Sequence, residues 1–280
     1  MVIQPLDSAE NKLIRQIKRF ATSHHARVKN QRTVVEGGRL IEEALGAGFR
    51  PHVVVYSPRW VAKPDGRAVI QRLEAVGARP LYITDRLLDS LSSLEAPPGV
   101  MAVVDLPPWR SLDEVLDPDP VPWIMVADAI QDPGNLGTLV RAALAAGART
   151  VAVTPGTVEP FNPKTIRASA GAIFRLPLVR LADAWPSVLR QRGFRLYAAV
   201  VENGLPYGAV DWHVPLAVIL GNEGNGLNLE TLGGAEPITI PMSPAANSLN
   251  VSMAGTVLAF HAAYVRQAKS LPIFPPARWR

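Results

Sequence analysis

The sequence contains no cysteine. Disulfides, thiolate metal ligands and a thiol nucleophile are thereby excluded, and the composition suits a reducing compartment. No apolar run approaches the roughly 20 residues needed to span a bilayer. The opening stretch, MVIQPLDSAENKLIRQIKRF, lacks the apolar core of a secretory leader. A cytoplasmic protein with no membrane partner is the expectation. Nucleotide fingerprints are missing too: no GxGxxG follows the first strand, and no GxxxxGK ends in Ser or Thr, which leaves a nicotinamide-type Rossmann site and a P-loop poorly supported. No HExxH, paired histidine or Cys/His cluster supports a catalytic metal. The chain also has no internal repeat and no low-complexity tract.

What is present is a chain of 280 residues, enough for two ordinary domains, with 48% apolar residues to build their cores. The net charge of +5 is unevenly placed. Lys12, Arg15, Lys18, Arg19, Arg27, Lys29, Arg32 and Arg39 face only Asp7, Glu10 and Glu36 in the first 39 residues, beside His24 and His25. The rest of the chain holds as many acids as bases. A basic lead segment on a neutral body points to a polyanion, most simply nucleic acid. A solvated helix face is the plainer alternative.

Leu13, Ile14, Ile17 and Phe20 recur at helical spacing between Lys and Arg. Ser23 to Arg32 reads as a mobile or RNA-facing segment. Helices are expected over Arg39–Ala47, Asp65–Val76 and Asp85–Leu94, and strands over His52–Tyr56, Leu81–Thr84 and Val100–Val104. Five prolines between Pro107 and Pro122 mark a domain boundary. In the second half, strands are expected at Trp123–Asp128, Thr150–Val153, Leu178, Phe194–Val201, Leu216–Leu220 and Ile238–Met242. Helices are expected at Leu136–Ala146, Pro163–Phe174 and Asp183–Arg192, and a last one from Ser248. That last helix carries Val251, Met253, Ala254, Val257, Leu258 and Phe260, and should be buried. The fold class is α/β. The expected domains are 1–106, a Pro-rich linker 107–121, a second domain 122–270 and a tail 271–280.

Three polar segments follow strands in the second domain: Asp128–Asn135, Gly221–Gly226 and Met242–Asn250. In an open α/β sheet ligands bind beyond the carboxyl ends of strands, so all three could line one rim. Glu223 is an acid between glycines, where backbone can approach a ligand closely, although a plain turn would look alike. Ser and Asn at the start of the last helix suit a cap, and equally suit a polar ligand.

Three motifs in order carry a resemblance. They are Asp132-Pro-Gly-Asn-Leu-Gly-Thr-Leu-Val-Arg141, Leu220-Gly-Asn-Glu-Gly-Asn-Gly-Leu227, and Ile240-Pro-Met with Ser248-Leu-Asn-Val-Ser252. Pro163-Lys-Thr-Ile-Arg-Ala-Ser-Ala-Gly-Ala172 looks like the connecting helix. Over roughly 121–268 the chain resembles the SpoU/TrmH family of SPOUT methyltransferases, RNA ribose 2′-O-methyltransferases that use S-adenosylmethionine. The stretch Arg27-Val-Lys-Asn through Val35-Glu-Gly-Gly-Arg-Leu-Ile-Glu-Glu-Ala-Leu45 looks like the family's substrate-binding domain, which resembles a small ribosomal RNA-binding protein.

The resemblance implies a parallel sheet with helices tied in a deep trefoil knot, preceded by a smaller α/β RNA-binding domain. Gly221, Gly224, Gly226, Ala245 and Ala246 would permit the close passage a knot needs. It also implies a homodimer, with Val257, Leu258, Phe260 and Tyr264 as candidate surface, although packing within the domain explains them equally well. By motif position, Asn135, Arg141, Glu223, Ser248 and Asn250 are the catalytic candidates. Leu220, Gly221, Ile240, Met242, Ser248 and Leu249 would hold the cofactor, with backbone at Gly221, Ile240 and Leu249 closest. Arg27, Lys29, Arg32 and Arg39 would meet RNA. Arg141 could stabilise the alkoxide through an adjacent phosphate or act as a strongly perturbed base. Between Met242 and Ser248 the chain departs from the glycine-rich turn of relatives, and Pro244 stiffens that turn and removes a donor. Ribosomal RNA is favoured as substrate over transfer RNA. A non-catalytic RNA-binding protein, a base methyltransferase and an ordinary Rossmann oxidoreductase are the rival readings.

Overall fold

The computed structural model describes residues 4–117, 119–222, 224 and 226–268, so Glu223 and the expected tail 271–280 lie outside the described residues. The chain forms two compact units. The first takes Met1–Pro107 together with a later segment, Phe161–Phe174, and the second takes Pro108–Pro160 and Arg175–Arg280.

In the first unit, Asn11 accepts the N–H of Leu13 and starts α1 (Lys12–Thr22), which buries Ile14, Ile17 and Phe20. Ser23, in extended conformation, ends α1 and caps α2 (His24–Asn30) by accepting from Ala26 N–H. The stretch Ser23 to Arg32, read as mobile or RNA-facing, is thus helical over His24–Asn30. The cap is the sequence signal: Ser at the N-cap satisfies a donor that would otherwise lack a partner. There follow β1 (Arg32–Glu36), α3 (Gly38–Gly46), β2 (Val53–Tyr56), α4 (Pro58–Val61), α5 (Gly66–Ala75), β3 (Arg79–Tyr82), α6 (Asp85–Asp89) and β4 (Val100–Asp105). The sheet order is β1-β4-β2-β3, with β4 antiparallel to both neighbours and β2 parallel to β3. Ile14, Ile17 and Phe20 pack with Val34, Val55, Ile83, Leu88 and Met101 in one core.

The second unit opens where a linker was expected, with β5 (Trp109–Arg110) and α7 (Leu112–Leu116). A reciprocal capping box starts α7: Ser111 Oγ accepts from Glu114 N–H, and the Glu114 carboxylate accepts from Ser111 N–H at 2.7 Å. Then come β6 (Trp123–Ala127), α8 (Pro133–Ala145) and β7 (Val151–Val153), after which the chain returns to the first unit for α9 (Pro163–Ala168). The second unit resumes with β8 (Leu178–Arg180), α10 (Trp185–Gln191), β9 (Arg195–Ala199), β10 (Leu205–Pro206), β11 (Leu216–Leu220), β12 (Glu236–Thr239) and α11 (Val251–Ala268). Eight strands lie in the order β10-β12-β9-β11-β6-β7-β8-β5, every pair parallel. The uninterrupted apolar runs of β6 and β11 are buried at every position, as suits parallel strands covered on both faces. β11 is inserted between β6 and β9, both of which precede it in the chain.

Several boundaries differ from the sequence expectation. The helix expected over Pro163–Phe174 stops at Ala168, because Ala170 and Gly171 turn the chain at φ 49° and 87°. The last strand lies at Glu236–Thr239, before the proline at 241. α8 starts at Pro133, capped by Asp132, which takes the first turn out of the expected loop. The final helix is not buried throughout: Met253, Val257 and Phe260 are exposed. Among the described residues, no helix is long and apolar enough to cross a membrane.

Candidate active site

The carboxyl ends of β6, β7, β9, β11 and β12 bring their following loops to one rim. At β6 the chain turns sharply: Ala129 has φ 53°, a left-handed conformation for a residue with a Cβ. Thr154, after β7, holds this turn. Its hydroxyl donates to Asp128 Oδ1 at 2.7 Å and accepts from Ala129 N–H at 3.1 Å. Asn222, after β11, donates from Nδ2 to Ala129 O at 3.0 Å, while its Oδ1 accepts from Gly224 N–H at 2.7 Å. One carboxamide therefore ties two rim loops together. Gly221 leaves no room for a side chain, since a Cβ there would lie 2.6 Å from Leu227 Cγ and 2.9 Å from Gly226 O.

Asn135 sits in the first turn of α8, where its N–H donates to Asp132 Oδ1 at 2.9 Å. Its side-chain Oδ1 accepts from Asn250 Nδ2 at 3.1 Å. Asn250 in turn caps α11, with Oδ1 accepting from Ser252 N–H at 2.9 Å and Ser252 Oγ at 2.7 Å. The first and third motifs thus meet through a single carboxamide. Pro244 occupies the second position of a turn closed by Ala246 N–H donating to Ser243 O at 2.9 Å, a position that suits proline.

A cavity of ≈ 330 Å³ opens between these loops. That size falls at the lower end of the range for small-molecule sites, about 300–1,000 Å³. Leu220, Gly221, Ile240, Met242, Ser248 and Leu249, the six expected cofactor residues, all line it. Of the catalytic candidates, Ser248 and Asn250 line it and Asn135 joins it through Asn250. Arg141 lies outside the lining, exposed on α8, with no ion pair or side-chain hydrogen bond among the described residues. Glu223 is outside the described residues. Sequence reading missed Ala199, Val200 and Val201 at the end of β9, Asn222, and the floor residues Ala254 and Leu258. The β9 residues carry no chemical signature, and only the adjacency of β9 to β11 and β12 brings them to the wall. No described lining residue is charged, so the walls are apolar with three carboxamide or hydroxyl groups, Asn222, Ser248 and Asn250.

The expected RNA-contacting residues divide in the first unit. Lys29 and Arg39 are exposed. Arg32 lies 3.7 Å from Asp105, which His52 also contacts at 2.7 Å. Arg27 corrects the expectation: it is 2% exposed, and its guanidinium donates to Phe20 O at 2.7 Å, so it serves the fold rather than presenting a free charge.

The family described as SpoU rRNA Methylase matches residues 122–260, and the MRM3-like substrate binding domain matches residues 11–102. The 23S rRNA (guanosine(2553)-2'-O)-methyltransferase RlmP of Bacillus subtilis is 30% identical over 261 residues, covering 92% of this chain and 99% of that protein. The human rRNA methyltransferase 3, mitochondrial, is 29% identical, covering 84% of this chain and 68% of that protein. Among solved structures, the SpoU methyltransferase AviRb from Streptomyces viridochromogenes in complex with the cofactor AdoMet aligns with a TM-score of 0.80 at 26% identity, covering 92% of this chain and 99% of that one.

Proposed function

The chain belongs to the SpoU rRNA methylase family, and from that premise we propose that it transfers a methyl group from S-adenosylmethionine to a ribose 2′-hydroxyl of ribosomal RNA. The observation that carries this reading is the ≈ 330 Å³ cavity on which the second and third motifs converge and to which Asn250 hydrogen-bonds the first.

The walls suit the cofactor. Apolar Leu220, Ile240 and Leu249 offer faces for an adenine, and backbone at Gly221, Ile240 and Leu249 offers donors and acceptors for its edge. When bound, S-adenosylmethionine supplies an electrophilic methyl on a sulfonium. What remains for the protein is alignment of the ribose oxygen and help with its proton. A guanidinium holds its proton far above neutral pH and makes a poor base. We therefore assign Arg141 to the RNA, binding the phosphate beside the reacting ribose and stabilising charge as it develops on the 2′-oxygen. Its exposure and lack of a side-chain partner among the described residues leave it available for this. Asn135, Ser248 and Asn250 orient the ribose, and Glu223 completes the set by its place in the second motif.

We further read the protein as a homodimer acting in the cytoplasm. The exposed apolar face of α11 supports the first. The cysteine-free composition accords with the second, and the word mitochondrial belongs to the human relative.

The test is transfer of radiolabelled methyl to unmodified ribosomal and transfer RNA, with the labelled nucleoside identified. Label in a 2′-O-methyl nucleoside of ribosomal RNA is expected. Arg141→Ala should keep cofactor affinity and lose transfer by about a hundred-fold or more, the scale of removing one charge-stabilising donor. Near-normal turnover in that variant removes Arg141 from the mechanism.

A further inference from the structure

We propose that α1 and α2 form a two-helix anchoring face for the phosphate backbone of RNA, held at a fixed angle by the buried guanidinium of Arg27; this rests on the RNA reading above. Apart from Lys29, the face is made of residues outside the motif that marks the first unit. On α1, Ile14, Ile17 and Phe20 point into the core. Lys12, Arg15, Lys18 and Arg19 are all exposed, with Lys12, Arg15 and Arg19 opposite that face by helical spacing and Lys18 at its edge. α2 adds exposed His24, His25 and Lys29. Arg15 has one carboxylate partner, Glu10 at 3.5 Å, and both side chains are well solvated. Lys12, Lys18, Arg19 and Lys29 make no ion pair among the described residues. An array of like charges with one solvated ion pair at its edge is complementary to a phosphate chain, and α1 spans roughly 16 Å, several phosphate spacings.

The junction makes the array rigid. Ser23 N–H donates to Arg19 O at 2.8 Å, and Ser23 Oγ accepts from Ala26 N–H at 3.3 Å. The last carbonyls of a helix lack partners within it. Here the Arg27 guanidinium takes that of Phe20, at 2.7 Å and out of solvent. Burying a guanidinium is unfavourable unless it is hydrogen-bonded. Arg27 thus braces α2 against the end of α1 and sets where Lys29 lies relative to the charges of α1. A preformed array loses less freedom on binding than a flexible basic tail. Interactions of this kind position an RNA and leave sequence choice to other residues.

The test measures affinity for a labelled, unmodified RNA stem-loop against potassium chloride concentration. For the exposed quadruple variant K12Q/R15Q/K18Q/R19Q, the slope of log affinity against log salt should fall by about three, roughly 0.7–0.9 for each of the four charges that no longer neutralises a phosphate. S-Adenosylmethionine affinity by calorimetry should stay as in the wild type. A wild-type slope in the variant, with RNA still bound, overturns the face. No RNA binding by the wild type removes the RNA reading itself. Arg27→Lys and Ser23→Ala leave the exposed charge unchanged, and each should keep the slope while weakening affinity several-fold. Undiminished affinity in both variants overturns the bracing role.

Discussion

A carboxamide carries donors and an acceptor on one rigid plane, and this chain uses that twice at one rim. Asn250 caps α11 with its oxygen and reaches Asn135 with its nitrogen. Asn222 holds Gly224 with its oxygen and Ala129 with its nitrogen. The second bridge matters because Ala129 is in a left-handed conformation that costs an L residue roughly 1–2 kcal/mol. Such a turn persists only where its surroundings hold it. Asn222→Asp keeps the acceptor for Gly224 and sets a carboxylate oxygen against Ala129 O. Losing a hydrogen bond while leaving its acceptor unsatisfied costs about 1–3 kcal/mol. Roughly ten-fold weaker S-adenosylmethionine binding is expected by calorimetry, with turnover at saturating cofactor largely kept. Undiminished affinity would show that the wall formed by Gly221 and Asn222 does not depend on this bridge.

At the scale of elements, α11 has two faces with different duties. Its inner face meets α8 and β11 at Gly255, where a Cβ would lie 2.3 Å from Leu139 Cδ2 and 2.7 Å from Leu220 Cδ1. Both leucines are buried and have nowhere to retreat. Gly255→Ala should therefore destabilise by about 1–3 kcal/mol, the range for overpacking a dense core. A lower urea midpoint at unchanged m-value would report it. The outer face exposes Met253, Val257, Phe260 and Tyr264, spaced four, three and four residues apart along one stripe, with Tyr264 72% exposed. A stripe with this repeat suits a second helix, and the homodimer reading places the partner's helix there. Phe260→Asp should give a monomer by sedimentation, and a monomeric wild type at micromolar concentration removes the dimer. The helix itself was legible from its apolar spacing, but the division of its faces was not. Periodicity marks residues that avoid water and says nothing of what covers them, so Leu258 and Phe260 look alike in sequence, yet one is buried and the other exposed. Arg27 shows the same gap in charge: its sign is legible, whereas the carbonyl it meets is brought to it only by the turn at Ser23. The three motifs were legible because they hold unusual polar residues after strands. The aliphatic wall at the end of β9 was not, because only the sheet order places it.

At the scale of the whole molecule, the chain passes between its two units three times: after Pro107, after Pro160 and after Phe174. The segment Phe161–Phe174 connects β7 to β8 in the large sheet, yet it is built into the first unit. Thr33 Oγ1 donates to Phe161 O at 2.9 Å, Arg167 lies 3.7 Å from Glu36 and donates to Ser93 Oγ at 3.0 Å, and the Phe174 ring packs 5.2 Å from that of Phe49. Burial pushes the Glu36 carboxyl above its ordinary value despite Ser92 and Arg167, so the segment is not held by charge alone. Phe161, Ile166, Ile173 and Phe174 are all buried. At about 1.5–3 kcal/mol for each large apolar side chain, exposing four of them costs roughly 6–12 kcal/mol. A whole domain commonly has about 5–15 kcal/mol of stability. The motifs by themselves suggest a clean cut at the proline-rich boundary, but the packing of Phe161–Phe174 argues against it. A fragment of residues 108–280 should bind a hydrophobic dye, unfold without a cooperative transition and fail to bind S-adenosylmethionine. Cooperative unfolding with full-length cofactor affinity would show that the β7–β8 crossover can fold without the unit that now covers it. The expected failure means instead that the stretch connecting β7 to β8 needs the rest of the first unit in order to fold.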